Sequence, residues 1–308
     1  MRFSVQLPTD RVDLPEEFGT AEAIAEMAGA VEAAGFDACF VTDHPFPSDR
    51  FVREAGGHHA LDPFVALSFA AAATTRLRLQ THILVLPYRN PFLTAKAVAS
   101  LDAVSGGRVI MGVAAGYLKD EFQALGADFD GRNAFCDEAL RAIRAAWTED
   151  GLRFEGTGYR ADGHSLRPRP VQKPHPPIWV GGNSKAALRR AAELGDGWLP
   201  VPAPEKMAGF TRTAPIASLD DLRARMALLQ EYAQAAGRER PLDVCFVPFG
   251  LNMNRQDALD SGVLRARIGE LEAIGVTWLT LTLPARSRAE YCERVTDFGT
   301  RCIASRTT

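Results

Sequence analysis

Short apolar segments that read as β-strands alternate with helical segments along the whole of this 308-residue sequence. Strict alternation of strands and helices is typical of a parallel sheet with right-handed crossovers. Eight such units in a chain of this length predict a single closed (β/α)8 TIM barrel within the α/β class. A doubly wound open sheet is the alternative, because strand order cannot be read from sequence. The predicted strands span residues 2–7, 38–42, 77–83, 108–113, 178–180, 196–199, 242–248 and 276–282.

Capping residues mark the starts of several helices. Asp62-Pro63 and Asn90-Pro91 each place a capping side chain before a proline at the first helical position. Thr20 and Ser218 are expected to cap two further helices, and Ser218 opens a capping box. A late helix is predicted over residues 256–274, before the eighth strand.

One stretch, residues 153–167, interrupts the alternation between the fourth and fifth strands. Its glycines and short alternating runs predict an insertion in the form of a β-hairpin. No linker or break in composition divides the chain elsewhere. We therefore expect residues 1–308 to form a single barrel domain.

The composition excludes several classes of function. The net charge of -3 and the pI near 6.1 give no electrostatic basis for binding nucleic acid or an anionic membrane. No apolar run reaches membrane-spanning length, and the N-terminus lacks the profile of a signal peptide. The five cysteines are scattered, odd in number and without CxxC spacing. We interpret them as reduced thiols in a cytoplasmic protein.

The stretch from Pro174 to Pro200 combines a strand, a glycine turn, a helix and a second strand. Gly181-Gly182 follows the strand directly, and Asn183 and Ser184 are good residues for capping the next helix. Unpaired amide groups at such a turn favour binding of a phosphate. The alternative is that the two glycines form only a tight connection between strand and helix.

Polar residues follow several of the predicted strands. In a TIM barrel the active site lies at these C-terminal strand ends, so a phosphate-bearing cofactor is expected across the barrel mouth. Asp43-His44 is the leading pair, because a histidine can move protons beside a redox ring. The alternative is that Asp43 caps the strand end and His44 packs under the loop. The other residues at these ends are Thr81, His82, Gly116, Tyr117, Gly181, Gly182 and Asn183.

The remaining candidates have weaker support. His82 lies in an apolar strand end, where a hydrogen-bonded core histidine is the common outcome. His58-His59 and Asp120-Glu121 are expected to be solvated loop residues. The alternatives are a lid contact with substrate for the two histidines and a catalytic role for the two carboxylates, although Tyr117 is better placed than either acid to reach a ligand. We expect no metal site, because no HxH follows the first strand and no HExxH occurs. A serine nucleophile is unsupported, because no GxSxG occurs.

Five segments of the sequence resemble the luciferase-like monooxygenase superfamily, in particular its coenzyme F420-dependent oxidoreductase branch. Together they cover roughly residues 3–200 in order, which is more specific than any single motif. The segments are VTDHP (41–45), LDPFVALSFAAAATTRLRLQT (61–81), NPFLTAKAVASLDAVSGGRVIMGVAAGYLKDEF (90–122), KPHPPIWVGGNS (173–184) and AAELGDGWLP (191–200).

The resemblance implies a barrel that binds a flavin-type cofactor non-covalently, often as a homodimer. It also implies a cis peptide bond after the third strand, which here would be His82–Ile83. In sugar-phosphate dehydrogenases of the family a glutamate follows the strand-four glycine, but Tyr117 stands there in this sequence, so that acid role does not carry over. The catalytic residues expected are His44 and Tyr117. The cofactor-binding residues expected are Asp43, His44, Thr81, His82, Ile83, Gly116, Gly181, Gly182, Asn183 and Ser184.

The sequence and the resemblance together give a main functional hypothesis and two alternatives. The main hypothesis is hydride transfer between coenzyme F420 and a small organic substrate. The first alternative is a two-component monooxygenase that uses reduced FMN and O2. The second is a non-catalytic flavin-binding carrier protein. We expect the substrate to contact residues 46–61, 153–167 and 202–215, and we expect neither nucleic acid nor membrane as a partner.

Overall fold

A computed structural model of the protein describes residues 1–249 and 261–304. The strands are β1 (Arg2–Gln6), β2 (Ala38–Val41), β3 (Arg78–Val85), β4 (Val109–Ala114), β5 (Leu152–Gly156), β6 (Tyr159–His164), β7 (Ile178–Gly181), β8 (Gly197–Leu199), β9 (Asp243–Phe246) and β10 (Trp278–Leu281). The α-helices are α1 (Pro15–Phe18), α2 (Ala21–Ala33), α3 (Asp49–Glu54), α4 (Pro63–Ala73), α5 (Pro91–Ser105), α6 (Lys119–Ala124), α7 (Arg132–Thr148), α8 (Lys185–Leu194), α9 (Glu205–Phe210), α10 (Leu219–Ala235), α11 (Ser261–Ala273) and α12 (Arg288–Phe298).

Eight of these strands form a closed parallel barrel in the order β1-β10-β9-β8-β7-β4-β3-β2. Pairing of β1 with β10, with Arg2 opposite Trp278, closes the ring. Each of the eight predicted strand segments contributes one strand, so the predicted (β/α)8 barrel is confirmed. The predicted hairpin is also present, because β5 and β6 pair as an antiparallel ribbon between β4 and β7.

Local capping signals produced the expected helix starts. The side chain of Asp62 accepts hydrogen bonds from two first-turn amides of α4, and Asn90 does the same for α5. Thr20 caps α2, and Ser218 with Asp221 forms the predicted capping box at α10. These starts agree with prediction because a cap and its partner lie within three residues. The late helix is described over Ser261–Ala273, and residues 256–260 of its predicted range lie outside the described residues.

Three short helices, α3, α6 and α9, occupy segments in which the sequence predicted no helix. Each has six residues, which is too short for stable helix in isolation. Their formation depends on packing against the rest of the protein, which the local sequence does not reveal. All three follow barrel strands and lie at the C-terminal end of the barrel.

The side chains inside the barrel differ in polarity along the barrel axis. An apolar cluster that includes Ile110, Trp179 and Trp278 fills one part, with the two indole rings 5.1 Å apart. Towards the C-terminal strand ends the interior includes polar side chains, and Thr282 donates a hydrogen bond to the side chain of Gln6 over 2.9 Å. The apolar part stabilises the barrel, and the polar part forms the floor of its mouth.

Two further features can be compared with the sequence analysis, the state of the cysteines and the presence of membrane-spanning helices. Cysteines 39, 136, 245, 292 and 302 are free thiols. Among the residues that the structure describes, no helix is both long and apolar enough to cross a bilayer.

Candidate active site

β3 is irregular where it reaches the barrel mouth. The peptide bond between His82 and Ile83 is cis, as the family resemblance implied, and the pairing with β4 shifts register directly after Thr81. Glycines on neighbouring strands make room for this shape. A Cβ atom on Gly112 would overlap the backbone oxygen of Thr81, and one on Gly181 would overlap the side chain of Ile83. Gly112 therefore requires glycine, because the overlap is with backbone, whereas at Gly181 the overlap is with the flexible end of the Ile83 side chain.

His44, in the loop after β2, contacts a carboxylate of α6. Its Nδ1 lies 3.3 Å from Oε2 of Glu121, and the Glu121 side chain is only 1% exposed. An ionised carboxylate only accepts hydrogen bonds, so Nδ1 of His44 carries the proton. Nε2 then holds the lone pair. The pair can therefore take up a proton at Nε2, and Glu121 would balance the resulting positive charge.

Glu121 accepts two more hydrogen bonds. The backbone N–H of Phe46 donates to Oε1 over 3.0 Å, and the hydroxyl of Tyr88 donates to Oε2 over 3.1 Å. Burial on its own would raise the pKa of Glu121, but the hydrogen bonds from His44, Phe46 and Tyr88 outweigh it and lower the pKa. Burial and the charge of Glu121 raise the pKa of Tyr88, which keeps this phenol a donor.

The expectation of a solvated Glu121 was therefore wrong. The first turn of α6 places Glu121 and Phe122 inside, whereas the neighbouring Asp120 is exposed as expected. The contacts that hold Glu121 come from residues 33 to 77 positions away. No local pattern in the sequence reveals them.

Two more rings pack against His44. The ring of Phe51, on α3, lies 5.2 Å from it, and the ring of His58 lies 4.9 Å from it in an edge-on arrangement at 88°. His58 is half-buried, with Nε2 3.1 Å from the hydroxyl of Thr42. Burial and the adjacent His44 lower the pKa of His58. The prediction of an exposed His58 was wrong, whereas His59 is exposed.

Asp43 holds the loop that follows β3. Its Oδ1 accepts a hydrogen bond from Arg89 over 2.9 Å, and its Oδ2 accepts one from the N–H of Val85 over 3.3 Å. The same guanidinium reaches Asp62 over 3.3 Å. Burial raises the pKa of Asp43, although Arg89 and the Val85 amide oppose the shift. Both carboxylate oxygens are engaged within the protein, so Asp43 shapes the mouth by fixing this loop.

Thr81 and His82 are also engaged within the barrel. The Thr81 hydroxyl donates to the carbonyl of Gly112 and accepts from its N–H, each over 2.9 Å. Nδ1 of His82 lies 3.2 Å from the amide nitrogen of Gln80, and its ring lies 4.7 Å from that of Phe40. Burial lowers the pKa of His82 to about 4, so the ring is neutral near pH 7. The hydrogen bond agrees with the predicted core histidine, but the His82 side chain is only half-buried.

Tyr117 follows Gly116 at the end of the β4 loop and meets an aromatic side chain of α9. Its ring lies 5.8 Å from that of Phe210 in an edge-on arrangement at 67°. Phe210 in turn lies parallel to Phe51 within 8°, with the ring centres 6.4 Å apart. Burial and the charge of Glu121 raise the pKa of Tyr117. The phenol therefore stays protonated at neutral pH and can donate a hydrogen bond.

The turn after β7 differs from the phosphate-binding turn that the sequence predicted. Gly182 has the positive φ of +106° that favours glycine, but its N–H donates to the carbonyl of Leu199. The N–H of Asn183 donates to the hydroxyl of Thr213 over 2.8 Å, and its side-chain amide bridges the backbones of two neighbouring loops. Asn183 is fully buried. These two amides are therefore not free to bind an anion.

The first turn of α8 offers backbone N–H donors of the kind that were predicted to bind a phosphate at the preceding turn. Ser184 is the N-cap, and its hydroxyl accepts the N–H of Ala187 over 3.2 Å. The amides of Lys185 and Ala186 precede it in the first turn and have no acceptor within an α-helix. Together with the helix dipole they can hold a negative charge.

Two guanidinium groups lie close to the ring of Phe129. The Cζ atoms of Arg132 and Arg212 lie 4.0 Å and 4.9 Å from its centre. Arg132 also donates to the carbonyl of Gly116 over 3.2 Å. Burial and the nearby charge of Arg212 lower the pKa of Arg132. Within residues 1–249 and 261–304, neither guanidinium forms an ion pair with a carboxylate.

These cations belong to the same region as the start of α8. Thr213, next to Arg212, accepts the amide of Asn183, and Arg190 of α8 donates to the carbonyl of Asn133, next to Arg132. The barrel mouth therefore combines the His44–Glu121 pair, which can accept a proton, with the cationic side chains of Arg132 and Arg212. The sequence analysis did not identify Arg132 or Arg212, since the local sequence around each arginine carries no signal of its spatial neighbours.

The fold is a closed (β/α)8 barrel whose mouth carries the His44–Glu121 pair and two cationic side chains. The model of the luciferase-like monooxygenase family matches residues 1–268. The chain belongs to this family.

The named sequence relatives include a flavin-dependent enzyme. The chain is 31% identical over 205 residues to an FMNH2-dependent dimethylsulfone monooxygenase of Pseudomonas putida. That match covers 66% of this chain and 53% of the relative, so the chain spans about half the length of that protein.

Solved structures share the fold over nearly the whole chain. The monooxygenase RslO1 of Streptomyces bottropensis superposes with a TM-score of 0.78 at 23% identity, covering 99% of this chain and 100% of that one. The coenzyme F420-dependent tetrahydromethanopterin reductase of Methanopyrus kandleri superposes with a TM-score of 0.73 at 18% identity, covering 99% of each. At these identities the likeness shows the fold alone.

Proposed function

We propose that this protein is an oxidoreductase that transfers a hydride between coenzyme F420 and a small organic substrate. The observation that carries the proposal is the buried contact between His44 and Glu121 at the barrel mouth. Oxidation of an alcohol to a carbonyl releases one proton together with the hydride, so the reaction requires a positioned proton acceptor.

The residues at the mouth fit a cofactor of this kind. The anionic tail of the cofactor would be held by the first-turn amides of α8 together with Arg132 and Arg212. The cis His82–Ile83 segment and the Gly116 turn would adjoin its ring, as the family resemblance implies. When bound, coenzyme F420 supplies the hydride acceptor or donor, and the protein supplies binding and orientation.

The chain itself handles the proton. Nε2 of His44 would accept the substrate hydroxyl proton, and Glu121 would stabilise the imidazolium through the hydrogen bond from Nδ1. In the reverse direction the same nitrogen would return the proton to a carbonyl oxygen. Tyr117 would donate a hydrogen bond to that oxygen, because its raised pKa keeps it protonated. His58 and Phe51 pack on the His44 ring and fix its orientation.

A second candidate is an FMNH2-dependent monooxygenase, favoured by the named relative of Pseudomonas putida. The same anion-binding groups would hold the FMN phosphate, and reduced flavin would be supplied by a separate reductase. His44 and Glu121 would then handle the proton of an oxygen-dependent reaction.

Two assays on the purified protein separate these candidates. The first follows coenzyme F420 absorbance anaerobically with a panel of secondary alcohols and ketones. The second follows O2 consumption with FMN, NADH and a flavin reductase. The proposal expects turnover of coenzyme F420, at a rate that His44→Asn lowers. It fails if the protein has no effect on coenzyme F420 absorbance and increases only the O2 consumption in the second assay.

The homodimer implied by the family resemblance remains a proposal. α4 and α5 pack side by side and expose Val65, Phe69 and Leu93. This apolar face is the surface that a second copy of the chain would cover.

A further inference from the structure

We propose that the substrate is a neutral molecule with an apolar or aromatic body and a single carbonyl or hydroxyl group, held by Phe51, Phe210 and Tyr117. The inference rests on the proposed function, since it names the substrate class of the same site. The three side chains come from the loops after β2, β8 and β4, so they converge on the mouth from three directions.

The three rings form one continuous aromatic wall. Phe210 lies parallel to Phe51 at 6.4 Å between ring centres and edge-on to Tyr117 at 5.8 Å. Phe51 also packs against His44 at 5.2 Å, so the wall ends at the proton-accepting pair. A substrate whose apolar part contacts these rings would place its polar group near His44.

The wall is incompletely covered by the protein. Phe51 is 9% exposed, but Phe210 is 48% exposed, and Met207 on the same helix α9 is 50% exposed. α9 has only six residues and nevertheless presents two large apolar side chains to solvent three positions apart. Exposed apolar groups beside an active site are typical of a surface that a ligand covers.

The polar groups beside the wall suit one neutral oxygen function. Tyr117 stays protonated and offers a hydrogen-bond donor, and His44 offers an acceptor at Nε2. A hydroxyl group can use both, and a carbonyl oxygen can accept the hydrogen bond from Tyr117. Glu121, by contrast, already accepts three hydrogen bonds, so it does not require a cationic substrate.

An anionic substrate lacks a counter-charge at this wall. Arg89 is engaged by Asp43 and Asp62, and the guanidinium groups of Arg132 and Arg212 lie on Phe129. Across the described parts of the chain, no cation stacks on or pairs with Phe51, Phe210 or Tyr117. The nearby cations therefore serve the cofactor tail, and the aromatic wall serves a neutral substrate.

The test measures binding rather than turnover, by calorimetric titration and ligand-observed NMR. Acetophenone, ethylbenzene and pyruvate are titrated into protein saturated with whichever cofactor it binds, or into the protein alone if it binds neither. The variants are Phe210→Ala, Phe210→Leu and Tyr117→Phe. The control is Val171→Ala, because Val171 is 51% exposed and packs against Gly107, next to the opposite, N-terminal end of β4.

We expect acetophenone to bind at least about tenfold more tightly than pyruvate, since burying an unpaired charge is unfavourable. Phe210→Ala should weaken acetophenone and ethylbenzene alike by about tenfold, and Phe210→Leu by less, because leucine keeps part of the apolar contact. Tyr117→Phe should weaken acetophenone by about three- to tenfold and leave ethylbenzene unchanged, since only the ketone accepts a hydrogen bond. Val171→Ala should change neither.

Pyruvate binding as tight as acetophenone, or acetophenone affinity unaltered in both Phe210 variants, would overturn the inference. Melting curves verify that each variant is folded. Acetophenone binding as expected without binding of either cofactor would count against the proposed function alone. Binding of a cofactor without the expected ketone selectivity would count against the substrate class alone.

Discussion

Nδ1 of His44 and Oε2 of Glu121 lie 3.3 Å apart although 77 residues separate them in the sequence. The contact joins the loop after β2 to the short helix after β4, so two loops of the barrel mouth are fixed to each other. It also makes Nε2 of His44 the basic nitrogen of the ring. One interaction therefore links the shape of the mouth to its chemistry.

Glu121→Gln should lower turnover by about 10²-fold, within the usual contribution of a positioned acid or base, because a neutral amide cannot balance an imidazolium. The affinity for the cofactor should change little, since Glu121 contacts none of the anion-binding groups. Steady-state turnover and a cofactor titration of the same variant measure the two quantities. Asp120→Asn, which alters an exposed neighbour on α6, is the matched control. Equal losses in both variants would show that the pairing with His44 has no special role.

The same variant should alter the dependence of stability on pH. The folded protein lowers the pKa of Glu121 below its ordinary value of 4.5, so this carboxylate stabilises the fold above that value. At pH 7 the wild type should be more stable than Glu121→Gln by about 1–3 kcal/mol, the range for disrupting buried hydrogen bonds. The difference should shrink as the pH falls below about 4.5 towards the lowered folded pKa. Urea unfolding at a series of pH values measures it, and a constant difference would contradict the assignment.

Arg132→Ala should weaken binding of the cofactor by about tenfold, because one charge-assisted hydrogen bond contributes roughly 1.5–3 kcal/mol. Fluorescence titration at fixed ionic strength measures the change. Arg160→Ala is the control, since it removes an exposed guanidinium from the β5–β6 hairpin. If the two variants bind equally well, the anionic tail lies elsewhere.

The sequence predicts the barrel well because its signals are local. The cap at Asp62 acts within three residues of its own position, and the strand ends place His44 and Tyr117 at the mouth once the barrel is inferred. Glu121 and Arg132 were not identified as functional residues because their roles depend on side chains that only the closed barrel brings near. The role of Gly181 could not be predicted from the sequence for the same reason. The structure shows that it accommodates Ile83, which no local pattern indicates.

Gly112→Ala should destabilise the protein by about 1–3 kcal/mol, because the new methyl group would overlap the backbone oxygen of Thr81 rather than a mobile side chain. Gly29→Ala on α2 is the matched comparison, since its Cβ would meet nothing within 4 Å. It should stabilise the protein by about 0.5–1 kcal/mol through its better helix propensity. Chemical unfolding of both variants tests the pair, and equal stabilities would contradict the packing of β3 against β4.

The most direct test of the proposed function is a titration of the purified apoprotein with coenzyme F420 and, separately, with FMN, followed by the fluorescence of each ligand. We predict saturable binding of coenzyme F420, with FMN weaker, and a loss of affinity in Arg132→Ala. Binding of FMN alone would contradict the choice of deazaflavin and favour the monooxygenase candidate. Binding of neither ligand would contradict the central claim that the mouth of this barrel holds a flavin-type cofactor.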